Sequence, residues 1–185
     1  MTTKLDEGKE KTAEEYFLSR LRELDRGEIA ILKRNAGNTI AESRGTYKIF
    51  YRIFPPWISN SRNEEVFFLI ATLYGLNDYA IKGDFGTTMR WVKAKSPTDS
   101  LDHRISVLLD SDFDLIEGYR PGGGEMAYRL RQCVKLANGH GIGVDWPKLL
   151  GDLQRWQYPE KRVQKAWARS YFGHEKPNEE EQKNQ

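Results

Sequence analysis

The stretch EEVFFLIATLYGL, residues 64–76, decides the fold. Its side chains are apolar nearly all the way round a helical projection, so it reads as the most buried helix of the molecule. Ser61 and Glu64 stand at capping-box spacing ahead of it, which predicts a helix start there. The apolar run Val66 to Leu73 is too short to span a membrane.

Working outward, the same start signal recurs upstream. Thr12 with Glu15 opens a helix with Tyr16, Phe17, Leu21 and Leu24 on its inner stripe. Asp25 with Glu28 opens a second, with Ile29 and Leu32 inward and Gly37 closing it. A third helix is predicted over 44–54, ended by Pro55-Pro56. Downstream, a turn at Gly83 precedes a helix from Phe85 to Ala94, and KSPTDS (95–100) is the best linker. Further helices are expected over LDHRISVLLDSD, from Glu125 to Asn138, after the cap Asp145, and from Pro159 to Phe172. PGGG (121–124) and GHGIG (139–143) read as loops. No segment keeps the strand period for long. The expectation is an all-α protein of eight or nine helices in two small packed subdomains, 12–96 and 97–173, between a disordered N-terminus (1–11) and a disordered acidic tail (174–185).

The formal net charge of +2 hides a strong asymmetry. Acids concentrate in the first fifteen residues, in 174–185 and in 99–117, where Arg104 is the one basic residue. The rest of the chain is strongly basic. Such a division suits a polyanion on one surface and a different partner on another. The start MTTKLDEGKEKT has no apolar segment of a signal peptide, and Cys133 is the single cysteine, so a cytoplasmic location is expected.

On the helix at 44–54, Arg44, Lys48 and Arg52 share a narrow arc opposite Ile49, Phe50, Ile53 and Phe54. On the last helix Lys161, Arg162, Lys165 and Arg169 lie opposite Val163, Ala166, Trp167 and Ser170. Arg131 and Lys135 sit one turn apart, Arg90 and Lys93 form a shorter pair, and Arg26, Lys33 and Arg34 add to the N-terminal half. One basic face is ordinarily a solvated one. Several such faces with few interleaved carboxylates repel internally unless a polyanion neutralises them. Contacts of this kind read phosphate, not base edges.

Signals for catalysis fail on spacing. Asp110, Asp112 and Asp114 form a DxDxD run, but a calcium loop begun at Asp110 would need glycine and glutamate where Leu115 and Pro121 stand. His103, His140 and His174 are far apart, and no CxxC occurs, so no metal or cofactor is expected. Cys133 falls on the apolar side of its helix and reads as an inert buried thiol. Most aromatic residues read as core, with Tyr51, beside the Arg44 stripe, the main exception.

These segments also resemble the CasB family, the small subunit of the type I-E CRISPR effector complex Cascade. LSRLRELDRGEIAILKRNAG (18–37) is similar to the family's N-terminal signature, VFFLIATLYGL (66–76) to its central helix and GDFGTTMRWV (83–92) to its glycine turn and basic helix. LRQCVKLANGHGIGVDWPKLLGDLQRW (130–156) resembles its C-terminal hairpin and RVQKAWARSYF (162–172) its closing helix. The resemblance implies a non-enzymatic helical subunit, paired with a second copy and contacting the large subunit and the backbone subunits that coat the CRISPR RNA. It implies that basic residues steady DNA and RNA backbone in the R-loop, with Arg26, Arg34, Arg90, Arg131, Arg162 and Arg169 falling in the matching segments. From the residues alone two other readings stay open: a helical adaptor whose basic faces dock acidic protein surfaces, and a free-standing single-strand binder.

Overall fold

The computed structural model describes residues 12–77, 79–112 and 124–173. Both expected disordered ends, the residues 121–123 of PGGG, Asp114 and His174 lie outside the described residues. Nine α-helices, and no strand, are found among those described: α1 (Ala13–Arg22), α2 (Arg26–Arg34), α3 (Tyr47–Ile53), α4 (Ser61–Tyr74), α5 (Phe85–Lys95), α6 (Asp99–Asp110), α7 (Gly124–Gly139), α8 (Trp146–Gln154) and α9 (Arg162–Phe172). The all-α reading therefore holds.

Local chemistry starts most of these helices. Glu15 N–H donates to Thr12 Oγ1 at 3.2 Å and Thr12 N–H donates to Glu15 Oε2 at 3.1 Å, a complete capping box. Asp25 and Glu28 repeat it at α2. Several boundaries differ from the predicted ones: α5 takes in Lys95 and α6 opens at Asp99, inside the expected linker 95–100, and α7 takes in Gly124 and Gly139. The cap of α4 is Asn60, not Ser61: its carboxamide oxygen accepts from both Arg62 N–H (2.9 Å) and Asn63 N–H (3.2 Å), so Ser61 is drawn into the helix. The stretch 44–46 is a 3₁₀ turn that runs into α3, so Arg44 precedes the α-helix proper. The last helix begins at Arg162, because Lys161 takes a left-handed conformation (φ 47°, ψ 42°) and its N–H closes a turn on Tyr158 C=O at 2.9 Å.

α4 is the hub, as its composition predicts. Every residue from Val66 to Leu73 is at most 1% exposed, and the helix packs against α2, α7 and α8. Two close approaches pin the architecture. A Cβ at Gly75 would stand 2.8 Å from Ile29 Cγ2, so the end of α4 meets α2 only with glycine there. A Cβ at Gly86 would stand 2.2 Å from Trp167 C=O oxygen, which lets α5 lie directly on α9. The connection from α5 to α6 is only residues 96–98, and α5–α9, α4–α8 and α1–α8 packing joins the helices on either side of it into one core.

Polar groups brace the C-terminal helices from within. The Trp156 and Trp167 rings meet in a tilted contact, with centroids 4.9 Å apart and planes at 58°. Trp167 Nε1–H donates to the buried Asp152 carboxylate at 2.8 Å, and Lys148 and Arg155 pair with the same group. A buried carboxylate is tolerable because it is partnered this way. Gln164, on the inner face of α9, donates to Trp156 C=O at 2.7 Å. Ser170 and Tyr171 donate to Asp84 and Asp102, each at 2.7 Å, tying α9 to the start of α5 and to α6.

Candidate nucleic-acid interface

The basic face of α9 is the cleanest of those predicted. Val163, Gln164, Trp167 and Tyr171 are buried, while Arg162, Lys165 and Arg169 are exposed on the other side. The carboxylate paired with this row is Glu160, 4.0 Å from Arg162, at the limit of an ion pair. Lys165 and Arg169 make no side-chain ion pair among the described residues. Lys161, expected in the same arc, leaves it because it lies ahead of the helix.

α3 carries a second row. Arg44 and Lys48 are exposed and unpaired among the described residues, whereas Arg52 Nη2–H donates to Glu28 Oε1 at 2.6 Å and ties α3 to the start of α2. Tyr47 and Tyr51 stand on this row with centroids 6.3 Å apart. Partial burial and a hydrogen bond to Glu64 push the Tyr51 hydroxyl up to about 12.

The remaining predicted residues divide. Lys135 is exposed on α7, but Arg131 is half-buried. Its Cδ lies 3.3 Å from where a Gly37 Cβ would sit, and its Nε is buried with no hydrogen-bond partner. Lys93 is committed inward: Nζ donates to both Asp102 oxygens at 2.7 and 2.9 Å and lies 5.3 Å from the Tyr171 ring centroid. Lys93 and Tyr171 together hold the Asp102 carboxyl below its usual range. Arg90 is half-buried. Arg34 is exposed, its Nε–H donating to Ala30 C=O at 3.2 Å. Arg26 and Lys33 line an open cleft together with Arg22, a residue the helix projections did not single out.

Phe17, Phe50, Phe54, Phe67, Phe68, Phe85, Trp146, Trp156, Trp167 and Tyr171 are buried in line with the core reading of most aromatics, but Tyr51 is not the main exception. Trp57, Tyr79, Trp91, Tyr128 and Tyr158 are, like Tyr51, at least half exposed. Trp91 and Tyr128 stand on α5 and α7 and the others in connections or on α3; an exposed ring can cover apolar surface with one edge and meet water with the other. Trp57 packs edge-on to Tyr16 at 5.0 Å in this manner. The thiol reading stands: Cys133 is buried and desolvation pushes it up to about 12. Among the described residues no three His, Cys, Asp or Glu side chains gather as a metal site, and no helix is long and apolar enough to cross a membrane.

Fold and surface together define a class: an all-helical scaffold that presents separate rows of cations on rigid helices. The match to the family of CRISPR-associated protein Cse2 runs over residues 28–172, and the chain belongs to that family, whose members are also called CasB. The CRISPR-associated protein Cse2 of Thermus thermophilus is 39% identical over 124 residues, covering 64% of this chain and 63% of that relative's length. The crystal structure of a Cse2-family protein from the same organism superposes with a TM-score of 0.71 at 27% identity, over 87% of this chain and 98% of that one. A chain of a CRISPR RNA-guided surveillance complex shares the fold, with a TM-score of 0.69 at 16% identity over 86% of this chain and 91% of that one.

Proposed function

We propose that this chain is the non-catalytic small subunit of the Cascade surveillance complex. In this reading the 12–96 and 97–173 subdomains act as one body. The body sits beside a second copy, against the large subunit and the backbone subunits. Its basic faces hold nucleic acid backbone without sequence preference and stabilise the R-loop between guide RNA and target DNA. R-loop formation is a nearly balanced exchange of one duplex for another, so a few phosphate contacts tip it.

The observation that carries the reading is the α9 row: Arg162, Lys165 and Arg169 are exposed along one side of a helix whose other side is locked into the core. Arg44 and Lys48 at α3 and Lys135 on α7 extend the same chemistry. Family membership and the shared fold of a surveillance-complex chain support the assembly. Gel-shift titration of duplex and single-stranded DNA across salt tests it. Each phosphate neutralised contributes a slope of about −0.9 in log K against log salt for duplex DNA. A slope of several units, similar across unrelated sequences, is expected. Binding indifferent to salt, or confined to one sequence, would sink the reading.

A further inference from the structure

Two open clefts lie side by side where α1, α2, α4 and α8 meet. The first holds about 480 Å³; Leu24, Ile29 and Tyr74 form its apolar floor, and Arg22, Arg26 and Lys33 stand on its rim. The second holds about 260 Å³, floored by Ile81, Val144, Trp146 and Pro147 and rimmed by Arg22 and Lys82. Arg22 lines both clefts, and the Tyr74 and Trp146 rings, 5.5 Å apart, join their floors. The glycine at 75 keeps the first cleft's wall close, since a side chain there would strike Ile29.

The charge around this floor is one-sided. Arg22, Arg26, Lys33 and Lys82 make no side-chain hydrogen bond or ion pair among the described residues. The carboxylate in the lining is Asp145, and it is already engaged at the start of α8, accepting from Lys148 N–H at 3.1 Å and Gly83 N–H at 3.3 Å. Among the described residues, four cations thus surround apolar surface with no free acid in the lining. A phosphate backbone would answer the charge but leave the half-buried aliphatic floor of Leu24, Ile29 and Ile81 wet. A polypeptide with carboxylates beside apolar side chains answers both features.

We propose that the double cleft docks an acidic segment of a partner protein, its apolar side chains seated in both hollows and its carboxylates against Arg22, Arg26, Lys33 and Lys82. The partner belongs to the complex proposed above, and in that respect the inference rests on that assembly. Arg26 and Lys33 then serve protein docking, and the nucleic acid is held elsewhere on the molecule.

The experiment places a photo-crosslinking benzoylphenylalanine at Ala30, exposed on the wall of the first cleft, in the full-length chain. The assembly is isolated through a tag on this chain, irradiated, and the adduct sequenced. The expected adduct is a protein segment rich in Asp or Glu interleaved with apolar residues. Arg22→Gln with Lys82→Gln should reduce it about tenfold or more, and Ile81→Asn should reduce it with every cation still in place. Binding of duplex DNA by the isolated protein should change by less than about twofold in these variants. If the other subunits and the CRISPR RNA co-purify but the adduct is on nucleic acid, on a neutral or basic segment, or absent, the docking proposal is overturned and the assembly stands. An adduct indifferent to the Gln and Asn variants overturns it as well. Recovery of the chain without other subunits or CRISPR RNA overturns assembly and docking together.

Discussion

The outer face of α9 and the double cleft at α1, α2, α4 and α8 carry similar numbers of cations on different ground. Arg162, Lys165 and Arg169 rise from a helix that buries Val163, Trp167 and Tyr171 and leaves Phe172, in its last turn, as its exposed large apolar side chain, so little between them asks to be dried. Arg22, Arg26, Lys33 and Lys82 surround half-open Ile29, Tyr74 and Ile81. Charge over polar ground suits a ligand that brings only charge. Charge around apolar ground suits one that also brings carbon. The difference comes from packing: α9 closes fully on α5, while α2 and α8 leave a gap above the floor that joins them.

The most severe way to break the comparison is to remove the ground beneath the α9 face. Gly86→Val places a side chain against the Trp167 backbone, and the atom it meets cannot swing aside. We expect a loss of about 3 kcal/mol or more, or failure to fold, seen as a large drop in Tm by circular dichroism. A variant that melts like the parent would show that α5 and α9 are not held in contact.

Next in size is the row itself. Arg162→Ala with Lys165→Ala and Arg169→Ala should lower affinity for duplex DNA by about tenfold or more at moderate salt, and flatten the salt slope by roughly one per lost contact. Stability should move by within about 0.5 kcal/mol per site, because the side chains are exposed and lack strong partners. Within an assembled complex, target capture should weaken equally for unrelated targets. Filter binding that matches the parent would return this face to ordinary solvated helix and leave the cleft as the functional surface.

How much of this was legible in the sequence depends on what each feature requires. The capping boxes at Thr12 and Asp25 are purely local, and both formed as their spacing implied. The burial of α4 follows from composition alone. The exposed α9 row and Lys48 needed only the helical period; Lys161, whose left-handed backbone no projection reveals, and Arg44, in the 3₁₀ turn ahead of α3, fall outside it. The double cleft was not legible. Its rim draws on α1, α2 and the segment before α5, and its floor is completed by α8, so it exists only after tertiary packing. The same holds for Lys93, whose partner Asp102 lies on another helix.

Arg131 sharpens the point, because it and Lys135 look equivalent one turn apart on α7. Lys135→Ala should change stability by within about 0.5 kcal/mol and weaken DNA binding slightly. Arg131→Ala removes a half-buried stem packed beside Gly37 and should cost about 1 kcal/mol or more. Paired denaturation curves decide it; equal midpoints would show that the stem contributes no packing.

The smallest expected effect concerns pH, and it separates scaffold from surfaces. Among the described residues, neither the α9 row nor the lining of the double cleft contains histidine, the side chain that ordinarily titrates between pH 5 and 8. Glu65, at the start of α4, does fall in that range: burial raises its carboxyl from 4.5 to about 7, with Glu64 and Glu42 adding to the rise and the N–H of Ile40, 3.1 Å away, opposing it. A carboxyl that binds its proton more tightly when folded contributes stability that is fully present below the unfolded value. That contribution is lost as pH rises through the folded value. Stability should therefore decline from about pH 4.5 to about pH 7 on account of this group, by about 1 kcal/mol or less, because solvent screening at a partly exposed site reduces the effect. Glu65→Gln keeps an oxygen for Ile40 N–H and cannot titrate, so it should flatten that part of the pH profile in urea denaturation. DNA binding by the same variant should keep its salt slope at both ends of the range, since the row proposed to hold phosphate lies elsewhere. A parent profile that rises across this interval, or a Gln variant that keeps the decline, would show that another group governs it.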